Sequence, residues 1–171
     1  ETYDFAAIPD FVATLEAGAD MVLGSRLKGR IHANAMPWSH RWIGNPLITG
    51  MINLMFRTRV SDAYCGLRAV RRDALPLLDL RSPGMELALE MVFKAARKGL
   101  VLAEIPIEYH RRRGESKLSS LSDGWRSVKF ILLHSPSYLF FVPAAAFALP
   151  GLAGAVALAA GPVTVFGRTW Q

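Results

Sequence analysis

A short segment of the sequence, SDAYCGLRAVRRDAL at residues 61–75, sets one carboxylate among several guanidinium groups. The next charged residue after Asp62 is Arg68, and Arg71 and Arg72 follow closely. A carboxylate in such a setting can act as a general base, orient a reacting group or pair with a cation. Two interpretations of Asp62 stay open on this pattern: a carboxylate that takes part in a reaction, or one that caps its loop or pairs with Arg68.

A second basic segment, RRRGESKL at residues 111–118, has the residue types that bind phosphate. The guanidinium fork of Arg111 can grip two oxygen atoms at once. Gly114 lets the backbone come close to a ligand, and Ser116 and Lys117 add a hydroxyl and an ammonium group. A solvated or lipid-facing stretch is the alternative for a basic run, but the GESKL context favours an anionic ligand.

Other residue types argue against several classes of function. The four histidines, His32, His40, His110 and His134, show no metal-ligand spacing, so no zinc site is expected. The single cysteine, Cys65, fits a reducing compartment and cannot form an internal disulfide. The pI of about 9.9 raises the question of nucleic acid, but no recognition fold accompanies it, so we expect no nucleic-acid partner.

Charge is distributed unevenly along the chain. The net charge is +6 and 51% of residues are hydrophobic, yet residues 130–167 carry no charged side chain. The uncharged run at 138–160 exceeds the roughly 20 apolar residues that span a bilayer, and Pro143 and Pro150 would kink it. We predict a transmembrane helix, with a buried alanine-rich core helix as the alternative. Lys and Arg crowd its N-terminal side, which places the preceding part in the cytoplasm.

The preceding residues show the patterns of alternating helices and strands. Apolar spacing and glycine stops predict an α/β layered domain with ligand loops at the strand ends. The predicted elements are a helix at 8–18, a short buried strand at 20–26, a ligand-closing loop at 27–37, a helix at 41–57, a strand at 67–70, a helix ending before Gly99, a strand at 100–110 and a helix at 122–134.

Two of these helices have a membrane-facing character. The helix at 41–57 is apolar on almost every side, and the helix at 122–134 is amphipathic. Both could lie on the bilayer and guide a lipid phosphate, or both could be ordinary core. Trp38, Trp42 and Trp125 near their starts favour the interface, because indole rings settle at headgroup depth.

Five motifs, GSR, SDAYCGLRAVRRDAL, ELALEMVFKAARKG, EIPIEY and RRRGESKL, occur in the order and spacing of a known family. Together they resemble family 2 glycosyltransferases of the dolichyl-phosphate mannose (or glucose) synthase type. The resemblance implies a GT-A (Rossmann-like) α/β fold, truncated at its N-terminus. Residues 1–135 would be the C-terminal portion of the catalytic domain with amphipathic interface helices, and residues 136–171 a transmembrane segment and the start of the following loop.

The resemblance also implies an activity. The family transfers a hexose, with inversion, from a nucleotide sugar to a polyprenyl (dolichyl or undecaprenyl) phosphate at the cytoplasmic face of the cell (inner) membrane. A divalent metal, Mg or Mn, would be held by an Asp-x-Asp motif expected just upstream of Glu1, so this chain would lack the donor-binding half and be inactive alone. Thr2 falls where some relatives place another metal-site residue, whereas Asp4 is expected to cap the following helix.

Roles for individual residues follow from the same resemblance. Asp62 matches the carboxylate presented near the anomeric carbon, a candidate general base that we expect to matter equally for orientation, because the phosphate monoester is already largely a dianion at pH 7. The residues matching phosphate or lipid-phosphate positions are Arg26, Arg41, Arg68, Arg111, Ser116 and Lys117. Glu90 and Glu104 match the pattern too, and for Glu90 we favour a structural ion pair with an arginine over a catalytic role.

Two other functions stay open. A processive polysaccharide synthase of the same superfamily is one, although its usual Gln-x-x-Arg-Trp motif is not matched by DGWRS at residues 123–127. A non-catalytic, membrane-anchored basic module that binds a partner or anionic lipid is the other. The sequence leaves open the sugar, the nucleotide, the length of the lipid and the oligomeric state, including a homo-oligomer.

Overall fold

The structure is a computed structural model that describes residues 2–111, 120–161, 163–165 and 168–170. It divides into two compact units, residues 1–131 and residues 132–171. The helices are α1 (Ile8–Glu16), α2 (Asn45–Phe56), α3 (Glu86–Arg97), α4 (Ser120–Leu133) and α5 (Pro136–Ala160). The strands are β1 (Met21–Ile31), β2 (Arg68–Val70), β3 (Leu102–Tyr109), β4 (Val163–Val165) and β5 (Arg168–Trp170).

A three-stranded mixed sheet organises the first unit, in the order β2-β1-β3. The central strand β1 runs antiparallel to β2 and parallel to β3, so that Met21 lies opposite both Val70 and Leu102. Met21, Val22 and Leu23 are completely buried, as expected for the middle strand of a sheet covered on both faces. The predicted α/β class is confirmed.

Strand β1 is longer than its apolar run indicates. The prediction of a short strand ending at Arg26, followed by a loop at 27–37, is wrong, because pairing with β3 continues to Ile31. The register shifts between Ser25 and Arg30, where a Cβ on Gly29 would lie 2.0 Å from the carbonyl oxygen of Ile107. The extension is mixed in polarity and exposed at residues 28–30, so backbone pairing defines it and hydropathy does not reveal it.

Helices α2 and α3 form the main core with the buried part of β1. Ile52 of α2, Leu89 and Val92 of α3 and Ile131 of α4 are fully buried in one cluster with Leu23. A smaller cluster joins Phe11 of α1 to buried residues on the other side of the sheet. Because each helix turns one apolar stripe towards the sheet, this packing is the one expected of an α/β layer.

The predicted helix at 41–57 is divided into two parts. Residues His40–Gly44 form a π-helical turn, and α2 begins at Asn45 with a proline in its first turn, where the missing N–H costs nothing. Arg57, in the left-handed conformation at φ 55°, ends the helix. One face of α2 is buried through Ile48 and Ile52, so the core alternative holds for that face, while Leu47 and Leu54 on other faces are exposed.

The second unit contains the uncharged helix α5 and the β4–β5 hairpin. Residues 137–160 have a mean hydropathy of 1.9, and by length and composition they can cross a membrane. At about 1.5 Å per residue the helix is ~37 Å long, which exceeds a hydrocarbon core of about 30 Å. Its side chains have little cover within the described residues, and Phe147 is 82% exposed.

Candidate functional site

A buried ion pair joins strand β1 to the loop that precedes β2. The Nε of Arg26 donates to Oδ2 of Asp62 at 2.7 Å, and one terminal nitrogen donates to Oδ1 at 2.8 Å. The backbone N–H of Arg26 adds a third hydrogen bond to Oδ2, at 3.1 Å. Asp62 is completely buried and Arg26 is 8% exposed. The side-on, two-point geometry fixes the orientation of the guanidinium group.

This pairing bears on the ion-pair interpretation of Asp62, whereas the catalytic interpretation stays a prediction. The cation that pairs with Asp62 is Arg26. The expected pairing of Asp62 with Arg68 is therefore wrong. Burial alone would lower the pKa of Arg26, but the hydrogen bonds and charge of Asp62 raise it above its ordinary value. Asp62 uses two of the five guanidinium N–H groups of Arg26.

A hydrogen-bond network around Glu104 supports the Asp62 loop. Oε1 of Glu104 accepts from the backbone N–H of Ser61 at 2.6 Å and more weakly from that of Asp62 at 3.4 Å. Its other oxygen accepts from Lys28 Nζ at 2.6 Å. The hydroxyls of Ser25 and Ser61 lie 2.6 Å apart. The loop is therefore tied to both β1 and β3 at the position where Asp62 meets Arg26.

Arg68 contacts backbone carbonyl groups instead of a carboxylate. Its guanidinium donates to the carbonyl oxygens of Cys65 at 2.7 Å and Ala63 at 2.6 Å, and also to that of Ala88. Burial lowers the pKa of Arg68 to about 10, so the group stays charged at neutral pH. Arg68 thus shapes the backbone directly after Asp62, and a contact with phosphate would have to use its remaining N–H groups.

Two tyrosines line the same region. The guanidinium carbon of Arg26 lies 5.2 Å from the ring centre of Tyr109, a cation–π distance. Tyr3 packs against Tyr109 with ring centres 5.5 Å apart and accepts a hydrogen bond from the N–H of Gly66. Burial raises the pKa of Tyr3, which therefore stays neutral. The aromatic rings limit the freedom of Arg26 without adding charge.

The other predicted phosphate-binding residues do not contact the Arg26–Asp62 pair in the part of the chain that the structure describes. Arg41 is exposed in the π-helical turn, with its guanidinium 5.2 Å from the ring centre of Trp42. Arg111 is exposed two residues beyond the end of β3. Within residues 2–111 and 122–161, the carboxylate of Asp62 forms hydrogen bonds only with Arg26. Arg41 and Arg111 therefore do not bond to this carboxylate. Ser116 and Lys117 lie outside the described residues. A convergence of all these groups stays a prediction.

Glu90 has a structural environment, but its partner differs from the predicted one. The carboxylate pairs with Lys94 at 2.6 Å, one helical turn away, and accepts the backbone N–H groups of Arg81 and Ser82. The predicted pairing with an arginine side chain is therefore wrong. Burial opposes ionisation, but the Lys94 ammonium and the two N–H groups outweigh it and lower the pKa of Glu90 to about 2. Asp4 is confirmed as a cap, since its Oδ1 accepts the N–H of Ala6.

Sequence reasoning missed several residues of this site. Ser25, Lys28 and Ser61 carried no role in the sequence analysis, and Glu104 had been noted without one. Ser25 directly precedes Arg26 and Ser61 directly precedes Asp62, so position was their only sequence signal, and Lys28 in the predicted loop had none. Of the metal-site residues that the resemblance implies, this sequence contains only the Thr2 position, whose carbonyl accepts the N–H of His110. A single position does not make a metal site, which needs several ligands.

Comparisons with known proteins place this geometry in context. No protein-family model matches the sequence. The chain is 46% identical over 143 residues to the low-salt glycan biosynthesis hexosyltransferase Agl6 of Haloferax volcanii, covering 83% of this chain and 35% of that protein. It is 32% identical to the dolichyl-phosphate hexose transferase of the same organism, covering 72% of this chain and 53% of the relative.

A bacterial protein shows the same similarity. The chain is 35% identical over 111 residues to the undecaprenyl-phosphate mannosyltransferase of Micrococcus luteus, covering 59% of this chain and 43% of that protein. The chain thus spans roughly a third to a half of the length of these curated relatives. The names of all three describe transfer of a hexose, and two of them name a polyprenyl phosphate.

Proposed function

We propose that this chain, a member of the polyprenyl-phosphate type of family 2 glycosyltransferases, contributes to transfer of a hexose from a nucleotide sugar to a polyprenyl phosphate at a membrane. The family predicted from five motifs is confirmed by the relatives, whereas substrates, stereochemistry and location are part of the proposal. The observation that carries it is the buried Arg26–Asp62 pair, which fixes a cation on the central strand of the sheet.

The role that we assign to Arg26 is electrostatic. The acceptor phosphate and the donor diphosphate repel each other when they meet, and a preorganised cation offsets that repulsion without rearranging during the reaction. Arg26 is held in place by Asp62 on one side and by the Tyr109 ring on the other. The exposed residues Arg41 and Arg111 would complete the phosphate site together with Ser116 and Lys117.

Asp62 acts in this proposal chiefly by positioning Arg26. Its carboxylate is fully buried and both of its oxygens bond to Arg26. A phosphate monoester with a second pKa near ~6 is largely deprotonated at neutral pH, so little is required of a general base. The catalytic role predicted from the resemblance stays a prediction. It would require the carboxylate of Asp62 to release a hydrogen bond to Arg26 and contact the substrate instead.

The bond changes account for inversion. An oxygen of the lipid phosphate attacks the anomeric carbon from the face opposite the nucleoside diphosphate and forms a new C–O bond. The bond from that carbon to the diphosphate oxygen breaks, and the diphosphate leaves with the electron pair. The residues of this chain hold and neutralise the attacking phosphate, and a GT-A arrangement of the whole enzyme would present the donor from the other side.

The membrane location is supported by the second unit and by exposed aromatic residues. Helix α5 can cross a bilayer, and the basic residues before it favour the cytoplasmic side of the cell (inner) membrane. Trp38 is 69% exposed and Trp42 is 63% exposed next to Arg41. Indole rings and an arginine on one surface suit the headgroup region, where a lipid phosphate would be collected.

Transfer can be measured in membranes from cells that express the full gene product containing this chain. Radiolabelled nucleotide sugars are supplied with polyprenyl phosphate, and organic-extractable label is counted. We expect Arg111→Ala to reduce lipid-linked label by ~100-fold, the usual cost of removing one preorganised donor. Arg72→Ala is the matched control, because Arg72 is also exposed but lies outside the RRRGESKL segment and carries no predicted phosphate contact, and it should retain full transfer.

The outcomes separate the three functions. Equal labelling in Arg111→Ala and Arg72→Ala, with equal membrane insertion, would remove Arg111 from the site. Label in polymer that resists lipid extraction would indicate a processive synthase. Binding to anionic vesicles with no transfer from any nucleotide sugar would indicate a non-catalytic basic module and overturn the proposed function.

A further inference from the structure

Three side chains outside the Arg26–Asp62 site form a cluster at the far ends of β1 and β3. We propose that this cluster, His32, Glu108 and His110, binds a divalent transition metal ion of the zinc type. The inference is independent of the proposed function, because none of the three residues carries a role in sugar transfer. The spacing of the histidines along the sequence gave no indication of it.

The pairing of β1 with β3 brings the cluster together. Arg30 lies opposite Glu108 and Ile31 opposite Tyr109, and the N–H of His32 donates to the carbonyl of Tyr109 at 3.0 Å. Alternate residues of a strand share a face, so Glu108 and His110 lie on one face of β3 and meet His32 from the neighbouring strand. Tyr109, between them, takes the opposite face.

The donor atoms already converge. His32 Nε2 lies 2.9 Å from Oε2 of Glu108, and His110 Nε2 lies 3.6 Å from the same oxygen. The two imidazole rings stack with their centres 4.2 Å apart. One donor atom from each of the three residues lies within 4.8 Å of the others. Ligands about 2.1 Å from a tetrahedral ion are roughly 3.4 Å apart, so only small side-chain rotations are required.

The donor set selects the kind of ion. Two imidazoles and one carboxylate suit zinc and similar ions, whereas Mg²⁺ and Ca²⁺ prefer oxygen ligands throughout. The carboxylate of Glu108 supplies the anionic ligand between the two imidazole rings. The residues are partly exposed, which leaves water as the remaining ligand.

One neighbour opposes the ion. Arg30 lies directly across from Glu108, and its positive charge reduces the attraction of the cluster for a cation. A bound ion would still fasten the end of β1 to the end of β3, one residue from the Tyr109 ring that packs on Arg26. It would thereby stiffen the point at which the chain leaves the sheet towards Arg111.

Metal binding is tested directly on the purified 171-residue chain in detergent, prepared without a polyhistidine tag. The protein is stripped with a chelator, dialysed against zinc, and its metal content is measured by mass spectrometry. We expect about one zinc ion per chain, and with cobalt an intense visible absorption typical of a tetrahedral site. Zinc should also raise the melting temperature, because it binds the folded state.

Matched variants make the assignment specific. His32→Gln and His110→Gln should each weaken zinc binding by ~100-fold or more, while His40→Gln should not change it. Arg30→Gln should strengthen binding, a gain that misfolding cannot mimic. Less than about half an ion per chain in the parent protein, or equal zinc binding in His32→Gln and His40→Gln, would overturn the proposal.

Discussion

The buried Arg26–Asp62 pair makes a sharp prediction about stability, through the substitution Asp62→Asn. The side chain keeps its size and its burial, but the charge is lost and an NH₂ group can face the N–H groups of Arg26. Arg26, only 8% exposed, would then be a buried cation without a counter-ion. Breaking a buried pair in this way costs about 3–5 kcal/mol in the free energy of unfolding.

The matched control is Asp79→Asn. Asp79 pairs with Arg81 at 2.8 Å, but their side chains are 64% and 78% exposed. Its left-handed backbone, with φ 42°, suits asparagine as well as aspartate. An exposed pair contributes at most about 1 kcal/mol, so this variant should resemble the parent protein.

Thermal unfolding of the chain in a mild detergent, followed by circular dichroism, measures the difference. For a unit of this size, 3–5 kcal/mol corresponds to a fall in melting temperature of about 10 °C or more. The double variant Arg26→Met/Asp62→Asn should recover part of the loss, since the unpaired cation is removed with its partner. Equal melting temperatures for Asp62→Asn and Asp79→Asn would refute the buried-pair reasoning.

Three further predictions concern the scaffold. Leu89→Ala removes a fully buried side chain and should lower the free energy of unfolding by about 2–5 kcal/mol, measured by urea titration. Gly29→Ala places a Cβ 2.0 Å from the Ile107 carbonyl oxygen and should destabilise by ~2 kcal/mol, whereas Gly124→Ala, with open space around it in α4, should stabilise by up to ~1 kcal/mol. Equal melting temperatures for these two glycine variants would contradict the close approach of β1 to β3. Glu90 has a pKa of about 2 against an ordinary 4.5, so its stabilisation is present above pH 4.5 and is lost as the pH falls towards 2. The melting temperature of Glu90→Gln should therefore fall less than that of the parent on acidification, and parallel curves would exclude this role.

The sequence predicted the helices and strands well where one apolar face repeats. Helix α3, with its stop at Gly99, and strand β3 follow from periodicity, because each must bury a stripe or face of apolar residues. The extension of β1 beyond Arg26 could not be predicted in this way. Its central residues are exposed, and the hydrogen bonds that define it come from a strand about 80 residues later in the chain.

Residue types limited the chemistry of the site but not its pairing. A lone Asp62 among arginines predicted an ion pair or a reacting carboxylate, and Arg68, the nearest arginine in the same motif, was the partner expected for an ion pair. In the folded protein the partner is Arg26, because its position on β1 brings both its side chain and its backbone N–H to the carboxylate of Asp62. Arg68 is turned instead towards three backbone carbonyl groups.

The amino-acid sequence by itself determined the α/β class, the uncharged helix at 136–160 and the family, because hydrophobic period, charge distribution and motif order are properties of the chain alone. Tertiary structure decided which charges meet. His32 and His110 were unrelated in the sequence, as were Arg26 and Asp62, and strand pairing and loop packing brought each pair into contact. Side-chain interactions act over a few ångströms in space, whatever the separation of the residues along the backbone.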